Sequence, residues 1–175
     1  MPSPLGHALG AVAVGWLIEG RRPTRATTCL YAAIGVAPDL DLLAGTHSTY
    51  THSLGAVALA FAAALALAGT RRRRLACAVA AAWASHLLLD WLGSDTSAPI
   101  GIMALWPFTR EHYQSTLYVF EAISRRYWLP EQFIWGNLRA AAREVLVLAP
   151  LLGFSYWITY ANHGVTENTE TPQSS

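Results

Sequence analysis

The chain contains no lysine: all twelve of its basic residues are arginine. We read this as genome bias and not as a chemical device. Charge of either sign is scarce. Only 13% of the residues are Asp, Glu, Lys or Arg, against roughly 25% in ordinary soluble domains. A net charge of +1 leaves no basic excess, which argues against a general polyanion binder, and no nucleic acid is expected as a partner. The two cysteines, Cys29 and Cys77, have no CxxC partner. Neither a zinc ribbon nor a disulfide framework is suggested, and both are expected as small buried hydrophobes. No G-x-x-x-x-G-K-[ST], G-x-G-x-x-G or G-x-S-x-G motif supports nucleotide binding or a serine hydrolase. No basic n-region precedes the first apolar stretch, so a cleaved signal peptide is not expected.

What the chain does have is apolar length. It is 53% hydrophobic with a mean hydropathy of +0.29, and its 175 residues suit one domain. Five apolar segments follow one another, at residues 5–18, 26–44, 54–69, 75–91 and 144–161. Residues 54–69, "LGAVALAFAAALALAG", have no polar side chain and stop at "RRRR". The sixteen residues of 54–69 fall slightly below the ~20 needed to cross a bilayer squarely, and flanking Thr51, His52, Ser53 and Thr70 can complete the helix. Core helices of a soluble bundle are the plainer alternative. The expected fold is all-α: a polytopic membrane bundle of about four to five helices with a metal site at one end. Residues 1–161 would form a single domain in which 93–143 are an extramembrane insertion. The tail, 162–175, is polar and expected to be disordered.

Two arginine clusters, residues 21–25 and 71–74, follow the first and third segments. If each segment crosses once, the positive-inside rule makes that face cytoplasmic. His7, the stretch from Asp39 to His52, and His86 with Asp90 then all reach the opposite face, where Glu144 also arrives. Orientation came from arginines and the ligand candidates from residue type, so their convergence is independent support for a shared site. The arginines of 93–143 fall on that same face and weaken the charge bias.

The chemistry lies in "PDLDLLAGTHSTYTHS", residues 38–53, and "HLLLD", residues 86–90. His86 and Asp90 are four apart, on one helix face. Asp39 and Asp41 follow Pro38 as an Asp-x-Asp pair, and His47 and His52 lie on the next turn. Each pair alone could be a helix pair or a cap. Together they are ionisable groups in apolar surroundings, where an unpaired charge costs several kcal/mol, so they are expected to serve an ion. Imidazole and carboxylate without thiolate fit zinc first, manganese or iron next. Six or seven ligands allow one or two divalent ions, and a two-metal site suits phosphoester hydrolysis. Thr51 and Ser53 are either hydrogen-bond donors to the ligands or caps of the next helix. Arg110 is the expected anion clamp, and His112 a proton donor or further ligand. Asp41 is the carboxylate expected to double as base.

These motifs, with "GHALGA" at 6–11, "HSTYTHSL" at 47–54, "SHLLLDWL" at 85–92 and "GIMALWPF" at 101–108, resemble the YdjM-type proteins in order and spacing, over about the first two thirds of the chain. The resemblance implies an inner-membrane-associated, metal-dependent hydrolase, with a LexA-binding label in some members and a loose kinship to zinc-dependent phospholipase C. It implies His7, Asp39, Asp41, His47, His52, His86 and Asp90 as the ligand set. The sequence departs from the pattern at Ser48, where a basic residue is expected, and in the long "GSDTSAPIGI" after the HLLLD helix. The expectation is a multi-pass inner-membrane protein, active on its non-cytoplasmic face, hydrolysing a phosphoester on a small-molecule or lipid-linked substrate in contact with membrane lipid. A non-enzymatic protein with a structural metal, or a metal or proton transporter, is the alternative.

Overall fold

The computed structural model describes residues 1–45, 47–96 and 98–169, without the side chains of Ala44 and of residues 162–169. Five α-helices carry the fold, and no strand is present among the described residues: α1 (Pro4–Glu19), α2 (Arg25–Val36), α3 (Leu54–Ala68), α4 (Arg73–Leu92) and α5 (Asn137–Thr169). Their boundaries follow local chemistry. Ser3 caps α1, accepting from the Gly6 N–H, and Pro4 stands in its first turn, where no amide donor is required. Thr24 and Thr27 form a reciprocal capping box on α2. After α2 the chain tightens at Pro38 into a 3₁₀ segment, Ala37–Ala44, which ends at Gly45 in the left-handed conformation. Ser53 caps α3, accepting from the Ala56 N–H at 3.2 Å.

Three stretches are long and apolar enough to cross a membrane: Arg25–Leu43, Thr70–Leu92 and Gln132–Ala161. Apolar helices α1 and α3, of 16 and 15 residues, are shorter. Large side chains such as Leu67, Leu146, Phe154 and Trp157 are exposed. An apolar solvent accounts for such a surface, since lipid imposes no penalty on it. Cys29 and Cys77 belong to the same pattern and correct an expectation: both are exposed. In a bundle facing lipid, an apolar side chain gains little by turning inward.

Helix α1 packs against α2, α4 and α5, and α3 packs against α4. The core joining α1, α2 and α4 is mostly small: Ala11, Val12, Tyr31, Ala78, Val79 and Ala82. Small residues let helix backbones approach closely. At Gly35 a side chain would lie 2.4 Å from Ala11 Cβ and 2.6 Å from the His7 carbonyl oxygen. This approach of α2 to α1 brings Gly35 to the level of His7, where the site is built. The first turn of α1, the end of α2, the start of α3 and the end of α4 therefore share one end of the bundle. The arginine-rich turns occupy the other, where Arg22 lies 4.6 Å over the ring of Tyr160.

The link between α4 and α5 is irregular, with two isolated bridges, Gly93 to Phe120 and Ile102 to Tyr113. Residues 101–108 of this link cover the site end: Leu54 and Gly55 donate to the Ala104 and Trp106 carbonyls at 2.9 and 3.0 Å. A π-helical turn, Gln132–Gly136, leads into α5. Residues 162–169, the start of the expected disordered tail, continue α5 as helix backbone; residues 170–175 lie outside the described residues.

Candidate metal centre

Four side chains from three places in the chain converge. Asp39 comes from the 3₁₀ segment after α2, His52 from the turn before α3, and His86 and Asp90 from one face of α4. One ligand atom from each lies within 4.8 Å of all the others. His52 Nε2 and His86 Nε2 are 3.0 Å apart. Asp90 Oδ2 lies 3.4 Å from His52 Nε2 and 3.0 Å from His86 Nε2, and Asp39 Oδ1 lies 3.6 Å from both rings. Bonds of ~2.0–2.1 Å from one tetrahedral ion would set donor atoms about 3.3 Å apart, so these separations fit.

Hydrogen bonding tests the fit independently. His52, His86 and Asp90 are 0–1% exposed, yet neither oxygen of Asp90 has a hydrogen-bond partner. The nitrogens nearest them lie close without hydrogen-bond geometry. A buried carboxylate left in this way costs several kcal/mol, and a cation between the donors removes that cost. The residues of this centre could therefore hold a metal ion.

The far nitrogens of the two central histidines are fixed. His86 Nδ1 lies 2.7 Å from the Gly35 carbonyl oxygen, which can only accept. His52 Nδ1 lies 3.2 Å from Asp41 Oδ2. Each partner holds the proton on Nδ1 and leaves the Nε2 lone pair directed at the centre, as ligating histidines require. Asp41 also accepts from Thr51 Oγ1 at 2.8 Å and faces His47 Nδ1 at 2.9 Å. Thr51 thus touches the site, whereas Ser53 caps α3. Burial lowers the basicity of His52, but the facing carboxylates of Asp39 and Asp41 outweigh it and raise its pKa to about 9.

His7 stacks on His86, with ring centroids 3.7 Å apart, and its Nε2 is 3.4 Å from Asp90 Oδ1. Neither of its nitrogens has a hydrogen-bond partner. Asp41, His47 and His52 form a second group with ligand spacing. The seven expected ligands are thus contiguous, running from fully buried His7 to His47, whose side chain is 19% exposed.

Other expected participants form no polar contact with the cluster among the described residues. Arg110 is exposed, and no hydrogen bond or ion pair joins it or His112 to the cluster among the described residues. His112 keeps a buried Nε2 without a hydrogen-bond partner. Glu144 is fully buried and receives the Ser3 N–H at 2.6 Å and the Ser3 hydroxyl. It serves the first turn of α1, where a carboxylate complements the helix dipole, and Gly6 leaves the room it occupies. Among the described residues the side-chain cation that meets the cluster is Arg125, whose Nη2 lies 3.4 Å from His47 Nε2. Nothing local in the sequence distinguished it, because it approaches from 78 positions away. Ser48, where a basic residue was expected, is 2% exposed.

Fold and cluster together define a helical membrane protein with a His/Asp group able to hold a metal. The chain belongs to the YdjM inner membrane protein family, whose profile matches residues 1–163. No curated protein and no solved structure matches it.

Proposed function

We propose that the protein is a membrane-bound, metal-dependent hydrolase of phosphoesters, with one divalent ion held by Asp39, His52, His86 and Asp90. The observation that carries this reading is the buried Asp90 carboxylate, which lacks hydrogen bonds and faces two imidazole nitrogens. A single ion is favoured over two. The two ligand groups share His52, one through each ring nitrogen, and a neutral imidazole offers only one lone pair. Asp41 is then a positioning residue for His52 and His47. Zinc suits the two-nitrogen, two-carboxylate set best, with manganese or iron next.

When bound, the ion supplies Lewis acidity, which makes water nucleophilic near neutral pH and offsets charge on a phosphoryl oxygen. The chain's own residues do the rest. Gly35 and Asp41 lock the histidine tautomers, and His7 packs over His86. Asp39, with 18% of its side chain exposed, is the one member of the four open to solvent. We assign it the proton of the attacking water: as the water oxygen bonds phosphorus the ester P–O bond breaks, and the departing alkoxide takes a proton from solvent to leave as the alcohol. We place this end of the bundle on the non-cytoplasmic side, opposite the arginine-rich turns.

The near-complete burial of the other three ligands favours a second reading, a closed structural metal joining the helices. One experiment separates the two. Protein purified in detergent is loaded with zinc, manganese or iron, its metal content measured, and phosphomonoester, phosphodiester and phospholipid cleavage followed, with His86→Ala as control. Turnover lost together with metal in His86→Ala is the expected result. Bound metal without turnover on any ester, and a melting temperature that drops on chelation, would establish the structural reading instead.

A further inference from the structure

Two adjoining cavities open beside the cluster, of about 370 and 410 Å³, and both are lined by His47, Asp95 and Arg125. The first also takes in Ser124, Arg126 and Gln132. Arginine is plentiful around this link, but its members differ in what they face. Arg139 and Arg143 are each 3.4 Å from Glu121, which answers their charge. No carboxylate pairs with Arg125 among the described residues. Among the described residues its guanidinium meets His47 Nε2, at 3.4 Å, an atom that also contacts Met1 Sδ at 3.1 Å. Most of its five N–H donors remain available. Asp95 brings a negative charge to the same walls and accepts the Gly101 N–H at 3.0 Å, so the lining carries two arginines against one carboxylate.

The backbone that presents Arg125 is held firmly. Asn137, at the start of α5, clamps Ser124 from both sides, accepting its N–H at 2.6 Å and donating to its carbonyl at 2.9 Å. Ala122 donates to Ser94 Oγ at 2.8 Å and Ile123 to the Met1 carbonyl at 3.3 Å. A fixed backbone removes the main-chain share of the ordering cost when the cation binds a ligand. The residues that follow set the level of the cleft. Tyr127, Trp128, Phe133 and Trp135 are all exposed, and they lead into the spanning stretch Gln132–Ala161. Aromatic side chains at such a junction mark the membrane–water boundary.

We propose that this cleft, with Arg125 as its principal donor, is the seat of the substrate's phosphate group, at headgroup level beside the metal centre. The inference rests on the phosphoester reading for its biological role, but not for its test. Metal-loaded protein in dodecyl maltoside is titrated calorimetrically with inorganic phosphate and, separately, with dioctanoyl phosphatidic acid in mixed micelles. Arg125→Gln is expected to weaken binding at least about tenfold, the loss of a charge-assisted bond, with metal content and melting temperature unchanged. Tighter binding of the amphiphile assigns a lipid headgroup, and equal binding a soluble phosphoester; in both cases the arginine must matter. Binding that survives Arg125→Gln, binding lost only in Arg110→Gln, or no binding by the parent protein overturns the proposal. Phosphate bound through Arg125 without hydrolysis of any ester would leave the cleft standing and remove the hydrolase.

Discussion

Both ends of this bundle bury a carboxylate, and they treat it differently. At the arginine-rich end Glu19, 8% exposed, closes α1 and accepts the Tyr31 hydroxyl at 2.8 Å. At the other end Asp90, 1% exposed, has no partner of hydrogen-bond geometry among the described residues. The same physical demand, a negative charge taken out of water, is met by the protein in one place and left open in the other. Burial of an acid therefore does not mark a metal centre; an acid set among imidazole nitrogens without hydrogen-bond geometry does. Glu144, fully buried at the same end as Asp90, confirms the distinction, because Ser3 satisfies it.

The largest effect is expected at Asp90. Asp90→Asn keeps the shape but removes the charge and places an amide where lone pairs are needed. Metal affinity should fall by more than the ~10–100-fold typical of losing a partner behind a ligand, and metal content after dialysis should drop to background. Normal metal content in folded Asp90→Asn would refute the centre. Asp41→Asn tests the shell behind it. One oxygen remains to accept from His52, so the protein should still bind one ion per chain, with affinity lowered about 10–100-fold. A stoichiometry that drops from two to one would mean instead that Asp41 is itself a ligand to a second ion.

The site was far more legible in the sequence than the cleft beside it, for a physical reason. His86 and Asp90 are four apart on a helix, and Asp39 and Asp41 bracket a single residue after Pro38; local geometry alone puts each pair on one face. The apolar runs around them located α1, α3 and α4 to within two residues, whereas α2 stops eight residues short, at Val36 before Pro38, and α5 starts seven residues earlier, at Asn137, and runs on to Thr169. Arg125 carries no such signal, since its place beside His47 depends on Asn137 and Ser94 holding an irregular segment. Arg110 lies beside an aromatic motif, but among the described residues no hydrogen bond or ion pair joins it to the cluster, whereas Arg125, also exposed, meets His47. The cysteines misled in a related way: inward burial was inferred from apolarity, a rule for chains surrounded by water.

Acidity sharpens the contrast from another side. In the metal-free protein His52 has its pKa raised to about 9, against about 6.5 in an unfolded chain. The protonated ring therefore contributes stability that is complete below about pH 6.5 and lost as pH rises through about 9. Stripped protein should melt at progressively lower temperature across that window. An ion must displace the same proton, so metal affinity should rise over it. Melting curves of loaded and stripped protein should accordingly diverge from pH 6.5 to 9. Parallel curves would show that His52 does not exchange a proton for the metal.

The smallest effect belongs to Glu19. Glu19→Gln leaves an amide oxygen that can still accept from Tyr31, so no buried donor is stranded. The carboxylate also lies at the last residue of α1, where the helix carbonyls concentrate negative potential. Removing its charge thus loses a charge-assisted bond but relieves an unfavourable one, and the two effects, each about 0.5–2 kcal/mol, oppose one another. Stability should shift by no more than about 1 kcal/mol, in either direction, with metal content untouched. Chemical denaturation and metal analysis of the same sample check both statements. A loss of metal here, far from the cluster, would mean that the two ends are coupled and that Glu19 does more than satisfy Tyr31.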